Sequence, residues 1–294
     1  MGQTTDVSIG IMAHNEEKNI GQLLDVLCSE KTRSCSIREI IVVDDGSTDR
    51  TNNIVLSFSK RDGRVKLLVH ERRLGKACAV NTFLSVALSH ILVLESADTL
   101  PVGNAIENLC APFKDRKIGI TTAHAIPLNK NEGLLGNMIH TQWNIHHSLS
   151  SLHPKFCELI AFRNVVEPIE PTCVDEETLG ASVLSKGYMA FYAADALFLT
   201  MGPQNLREFF SQRRRNHCGH LLLKQGKRYI SSSLMPCKIA RAVQRQLSFK
   251  NLLPVGCLVL LELLARAWGR LDMLKGKNYA LWEQAKTTKA LSPA

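Results

Sequence analysis

The feature that most restricts this chain is an alternation of short aliphatic, β-branched runs with segments of helical spacing, through about residue 126. VSIGIMAH, EIIVVDD, VKLLVHE, HILVLES and KIGITTAHA read as strands, because runs of roughly four to eight apolar residues bounded by turn formers bury well in a sheet. Between the first two, Ile20, Leu23, Leu24 and Leu27 follow helical spacing, with Asn15 as the expected N-cap and Glu16 and Glu17 in the first turn. Val80, Phe83, Leu84, Ala87 and Leu88 repeat that stripe. Strands alternating with helices imply an α/β fold with a mainly parallel central sheet flanked by helices. From about Asn129 the pattern weakens into a mixed segment rich in His and Trp, and order resumes at DEETLGASVLSKGYMAFYAADALF as helix, Gly turn and strand.

A chain of 294 residues with 45% apolar content can bury a sizeable core. Its 36 Lys and Arg against 27 Asp and Glu leave a net charge of +9, which favours an anionic partner: phosphates, nucleic acid or an acidic lipid surface. No DNA- or RNA-binding module surrounds the basic residues, so no nucleic acid is expected. Nine cysteines without a CxxC pair, and an N-terminal MGQTTDVSIG without the layout of a signal peptide, fit a reducing cytoplasm. His217, Cys218 and His220 have no distant matching pair, so zinc is not expected. The absence of GxGxxG and of GxxxxGK[ST] argues against a dinucleotide oxidoreductase and a P-loop NTPase.

The acids fall where an open α/β sheet holds its ligands. Asp44 and Asp45 end the strand EIIVVDD, and HILVLESADTLP delivers Glu95 and Asp98 at the same sheet edge. Asp before Gly-Ser is also an ordinary turn signal, so the two acidic ends carry more together than either alone. Hard oxygen ligands at that edge suit Mg²⁺ or Mn²⁺ bridging a diphosphate, whose leaving charge the ion neutralises. In HERRLGKACAVN, Arg72, Arg73 and Lys76 flank Gly75 before a helix, where amides and cations can face phosphates or form a solvated turn. Asp175, Glu176 and Glu177 open a later helix, favoured there by the helix dipole whether or not one of them deprotonates an acceptor hydroxyl. FFSQRRRNHCGHL packs three arginines at a density suited to pyrophosphate or anionic lipid. Specificity is expected to lie between about Pro127 and Cys173, where Trp143, His146 and His147 stack on or bond to a ligand or simply fill a half-buried face.

Near the C-terminus LLPVGCLVLLELLARAWGRLDMLKGK joins an apolar run to Arg266, Trp268, Arg270, Lys275 and Lys277. Its uninterrupted apolar part is about half of the roughly 20 residues a span needs, and Glu262 and Arg266 fall within the longer stretch. A helix lying in the membrane interface fits better than a span, beside the plainer reading of a buried helix packed on the domain.

In order, VSIGIMAHNEEKNI, EIIVVDDGSTDRT, RRLGKACAVN, LESADTLP, the DEETL helix and QRRRN resemble family 2 glycosyltransferases of the GT-A fold, across roughly the first 220 residues. The resemblance implies an inverting transferase with a UDP-sugar or related donor. Asp44 or Asp45 would read the base, Glu17 would lie near the nucleoside, and Lys76 near it or the phosphates. The implied donor site also takes in Ala13, Asn15, Gly75, Ser96, Ala97, Asp98, Gln212 and Arg215. Asp98 would bind the metal, Mg²⁺ or Mn²⁺; the family's usual acidic pair has Asp where this chain has Ser96. The family's catalytic acids map onto Asp175 and Glu176, with Glu176 as the base at the expected distance before Gly187 and Tyr188. In the QxxRW motif of processive members, Gln212 and Arg215 match while Asn216 replaces the tryptophan, which implies addition of a single sugar.

Several spanning helices of polymer-exporting synthases are missing, so no export is expected. The expected organisation is a glycosyltransferase domain at 1–230, with a nucleotide-binding half at about 1–126 and an acceptor half at about 127–230, and a helical tail at 231–294. The tail would hold the enzyme to an anionic membrane on its cytoplasmic face, peripheral or monotopic, beside a lipid-linked or envelope glycan acceptor. The competing readings are a catalytically silent nucleotide-sugar binding or scaffold protein, and a nucleotidyltransferase, which would need a glycine-rich signature near the N-terminus.

Overall fold

A computed structural model of the chain describes residues 4–227, 229–248, 251–282, 285–288 and 291. Residues 1–3 of the N-terminal stretch, position 228, and positions 249–250, 283–284, 289–290 and 292–294 of the tail lie outside the described residues. Eight strands, β1 (Thr5–Ala13), β2 (Cys35–Asp44), β3 (Val65–Val69), β4 (Ile91–Ser96), β5 (Thr99–Val102), β6 (Ile118–Pro127), β7 (Leu159–Arg163) and β8 (Met189–Thr200), form one sheet in the order β3-β2-β1-β4-β7-β6-β8-β5. The pairs β1–β2, β1–β4, β2–β3 and β6–β8 are parallel, whereas β7 runs antiparallel to both β4 and β6 and β5 antiparallel to β8.

Alternation along the central strands sends side chains to two separate cores. Val7, Ile9 and Ile11 of β1, with Ile40 and Val42 of β2, pack against α1 (Ile20–Ser29) and α2 (Thr51–Ser59). Ile41, Val43, Leu92 and Leu94 face the other way, onto Val80 and Phe83 of α3 (Lys76–Val86) and Leu179 and Val183 of α6 (Asp175–Ser185). The stripe read on α1 is wholly buried, while on α3 it stops early: Leu88 lies beyond the helix and is exposed.

Asn15 does not cap α1. It sits at φ 54°, and its side-chain oxygen accepts from Thr48 N at 2.8 Å, so the helix starts a turn later behind Asn19 and leaves Glu16 and Glu17 outside it. After α4 (Ala105–Cys110), the mixed segment rich in His and Trp folds into α5 (Gly133–Leu152), a helix of 20 residues. Beyond β8 come α7 (Leu206–Lys227), α8 (Pro236–Gln244) and α9 (Leu252–Leu274), the last packed along α7 and α5.

Candidate active site

Parallel pairing brings the carboxyl ends of β1, β2 and β4 side by side: Ala13 lies level with Asp44, and Met12 with Ser96. β7 runs the opposite way, with Leu159 opposite Glu95, so the residue before it, Glu158, reaches the same edge level with Ser96. A cavity of about 1000 Å³ opens there, at the large end of the range for ligand sites. Its walls hold Lys76 from the start of α3, Ser96, Ala97 and Asp98 after β4, Asp175 and Glu176 from α6, and Gln212 and Arg215 from α7. Trp143 and His146 of α5 also line it. His147 faces elsewhere, stacked on His124 and bonded to Tyr192. A smaller cavity of about 70 Å³ adjoins, between Ala13, Asp45 and Gly75.

The first group of expected donor residues ties loops together. Both carboxylate oxygens of Asp45 are engaged: Oδ1 accepts from Leu74 N at 2.7 Å and pairs with His70 Nδ1 at 3.0 Å, and Oδ2 accepts from Gly75 N at 2.8 Å. Asp45 thereby fixes the turn that delivers Lys76. Gly46, at φ 69°, lets the backbone of Arg72 and Arg73 pass where a Cβ would come within 2.6 Å. Asp44 is fully buried; Oδ2 accepts from Ser47 N at 3.0 Å, while Oδ1 has no hydrogen-bond partner. Glu17 accepts from Arg50 Nε at 3.1 Å, and that guanidinium holds its carboxyl below the usual range. Asn15, Glu17 and Asp44 therefore brace the edge from behind and do not line either cavity.

The second group converges. Lys76 Nζ donates to Glu176 Oε1 in an ion pair and reaches Ser96 Oγ at 3.3 Å. Burial works against the ammonium, yet Glu176 and Asp175 outweigh it and raise its pKa. Beside this pair, Asp175 is 1% exposed with Oδ1 unpartnered, and burial pushes its carboxyl up to about 7. Glu158 is likewise pushed up to about 7, by burial and then by repulsion from Glu176, and its Oε2 is buried without a partner. Glu95 is fully buried and raised by burial, with Thr99 bonded to it, so it supports the edge and does not enter the cavity.

The three consecutive arginines of α7, Arg213, Arg214 and Arg215, leave the helix in different directions, as steps of about 100° require. Arg213 pairs with Glu262 of α9 at 2.8 Å while also lining the cavity, Arg214 pairs with Asp272 of α9 away from it, and Arg215 lines the cavity. His217, Cys218 and His220 likewise diverge; Cys218 lies by the Lys277 carbonyl and His220 bonds Ser233. Among the described residues no three His, Cys, Asp or Glu side chains form a ready cage for a metal. The donor set still fits a hard divalent ion: Asp98 and Glu158 line one cavity, Glu158 has an orphaned oxygen, and Mg²⁺ commonly takes one or two carboxylates plus substrate phosphates.

Sequence reading missed Glu158, Lys155 and Trp282, which also line the large cavity. Glu158 had a signal, an acid immediately before the apolar run LIAF, but only the antiparallel course of β7 turns a strand start into a ligand edge. Lys155 is pushed down to about 8 by burial and then by Arg213, and nothing in its local sequence marks it.

The family model described as Glycosyl transferase family 2 matches residues 8–154. Glycosyltransferase GlyG of Streptococcus pneumoniae is 26% identical over 43% of this chain and 41% of its own length. Beta-monoglucosyldiacylglycerol synthase of Nostoc sp. is 27% identical over 45% of this chain and 28% of its own. The chain thus spans less than half the length of these curated relatives. Among solved structures, a mannosyltransferase from Pyrobaculum calidifontis in complex with GDP-Man and Mn²⁺ superposes with a TM-score of 0.62 at 18% identity, covering 94% of this chain and 89% of that one.

Proposed function

We propose that this chain, which belongs to glycosyl transferase family 2 and has its GT-A fold, moves one sugar from a nucleoside diphosphate donor, UDP-sugar favoured, to a hydroxyl of a lipid-linked or envelope glycan, with inversion. The observation that carries this reading is the convergence of Lys76, Asp98, Glu158, Asp175, Glu176 and Arg215 on one cavity at the carboxyl edge of β1, β2 and β4. Lys76 and Arg215 would face the diphosphate, and Asp98 with Glu158 would hold Mg²⁺ or Mn²⁺. The ion, when bound, stabilises the charge that develops on the departing diphosphate. Glu176 takes the acceptor hydroxyl proton, and the oxygen then attacks the anomeric carbon opposite the leaving group. Asp175, whose carboxyl burial pushes up to about 7, stands beside Glu176 at the helix start and shares with it the charge of Lys76. Addition of one sugar per encounter rests on Asn216 in the sequence alone. The donor half at about 1–126 and the acceptor half at about 127–230 share one sheet in this reading.

The outer face of α9 supports attachment to an anionic membrane surface on the cytoplasmic side. Leu253 and Leu274 are about 70% exposed (71% and 69%), in line with Leu260, Leu264 and Leu271 on the same stripe, with Arg270 and Lys275 exposed nearby. By length and composition α9 could also cross a membrane. Its acids, however, are bonded to α7, which favours a helix held against the protein and laid on the surface.

Calorimetric titration with UDP, GDP and TDP, with and without Mn²⁺, tests the donor reading. Metal-dependent UDP binding that disappears in Asp98→Ala is the expected result; a folded protein that binds none of the three overturns it. Ser96 favours the second reading, a silent nucleotide-sugar binder, and the two separate on hydrolysis of bound UDP-sugar, which only the transferase performs.

A further inference from the structure

After α9 the chain doubles back across the mouth of the large cavity. Tyr279 Oη donates to Asp272 Oδ2 at 2.5 Å, anchoring the return to the end of α9. The Ala280 carbonyl then lies so close to Gly75 that a Cβ there would come within 2.9 Å of it. Further on, Gln204 N donates to Thr287 Oγ1 at 3.0 Å, fastening the far end beside α7. Trp282, midway, touches a cation from each wall. Its carbonyl accepts from Arg73 Nη2 at 2.7 Å, and its ring lies 4.6 Å from the Arg215 guanidinium carbon.

Arg215 needs such a neighbour. No carboxylate among the described residues forms an ion pair with it, its side chain donates one long bond to Asn216 Oδ1 at 3.4 Å, and burial lowers its pKa. Asp175 and Glu176 attract the half-buried guanidinium without an ion pair to fix it, and a flexible cation held only by long-range attraction loses its aim. An aromatic face under a guanidinium attracts it through the ring quadrupole while leaving its N–H groups free for an anion. Position 216, the next residue on α7, is an asparagine and offers no ring.

We infer that Trp282 is a positioning residue for Arg215: the C-terminal return supplies an indole that holds the guanidinium at the cavity wall, with its donors turned to the donor diphosphate. The inference rests on the donor reading above and adds a residue 67 positions away from the arginine it serves. The same stacking places an aromatic ring beside Arg215 from outside α7, so Asn216 does not leave that arginine without one.

The test compares UDP and UMP binding, with Mn²⁺, in wild type, Trp282→Ala and Trp282→Phe, beside thermal melts. Because Arg215 would face the diphosphate, Trp282→Ala is expected to weaken UDP about tenfold, equivalent to about 1.4 kcal/mol, and UMP less than about threefold. Trp282→Phe is expected to restore UDP binding to near wild type. Equal or tighter UDP binding in Trp282→Ala overturns the inference and makes the return a cover over the site; equal loss of UDP and UMP overturns it too. Should Trp282→Ala not fold, Trp282→Leu against Trp282→Phe decides, since both fill the space and only one carries a ring. Failure of the wild type to bind any nucleoside diphosphate would instead sink the donor reading itself.

Discussion

The central strands and α9 are both long on aliphatic residues, but the strands bury theirs on both faces whereas α9 buries Val255, Leu258 and Ala265 and leaves a second apolar stripe exposed. In β1, β2 and β4 the apolar side chains go inward, onto α1 and α2 on one face and α3 and α6 on the other. In α9 the acids go inward, Glu262 to Arg213 and Arg266 and Asp272 to Arg214 and Lys277, while Arg270, Leu253, Leu260, Leu263 and Leu264 face out. Apolar content says how much surface avoids water but not what covers it. Ion pairs decide the orientation here, because removing one partner of a buried pair costs about 3 to 5 kcal/mol whereas an exposed leucine waits for another surface.

The largest expected effect sharpens that contrast directly. Phe83 is fully buried between α3 and the sheet, and Phe83→Ala should cost about 3 to 5 kcal/mol in chemical denaturation. Next, Arg213→Leu should destabilise by about 3 kcal/mol, because Glu262 keeps only Arg266 as a cation. A loss under about 0.5 kcal/mol would mean that α9 is not held by its charges.

Acidity separates the two regions by sign. Asp175 has a folded pKa of about 7, above its ordinary value of 3.8, so the native state binds a proton that the unfolded chain releases, and stability falls as pH rises between those values. Asp175→Asn removes that slope, and its melting advantage over wild type should grow from near zero at pH 4 by several °C up to about pH 7 and level off above it, by calorimetry at each pH. Glu262 is the reverse: burial opposes its charge, but Arg213 and Arg266 bring it down to about 2, so its contribution is full above pH 4.5 and lost as pH falls towards 2. Glu262→Gln should therefore be less stable than wild type at pH 7 and close to it at pH 2, by calorimetry at each pH. The smallest effect on stability is the most telling. Changing Leu260, Leu263 and Leu264 together to Ser should leave folding within about 0.5 kcal/mol per site yet abolish sedimentation with anionic vesicles. A triple variant as unstable as Phe83→Ala would erase the contrast.

Much of the sheet was legible because its central parallel strands are buried on both faces and therefore read as continuous apolar runs: all six strands read from sequence are present. β5 and β7 were not. Thr99–Val102 is four residues with Pro101 inside, on the sheet edge where a missing N–H is tolerated. α5 escaped because its buried face includes Thr141, His146, Ser148 and Ser150, which a search for apolar spacing passes over. Within the site, residues at strand ends and helix starts were readable because geometry fixes where those positions go: Lys76, Ser96, Asp98, Asp175, Glu176 and Arg215 all line the cavity. Asn15, Glu17 and Asp44 share the same edge, but their side chains are spent on loop backbone and Arg50, a choice made by hydrogen bonds that spacing does not encode. Trp282 depends on a chain reversal after α9, which no local pattern announces.

The Lys76–Glu176 pair has a kinetic meaning. If Glu176 is the base, as proposed, the ammonium bonded to its Oε1 competes with any incoming proton, and the base is quiet. A diphosphate beside Lys76 offers the ammonium a stronger anionic partner and loosens the pair, so the carboxylate becomes competent once the donor has arrived. On the transferase reading this gives a compulsory order, donor first and acceptor second, and a dead-end acceptor analogue would inhibit uncompetitively against the donor. The ion pair would then act as a sequence lock, keeping the base idle until there is a sugar to transfer.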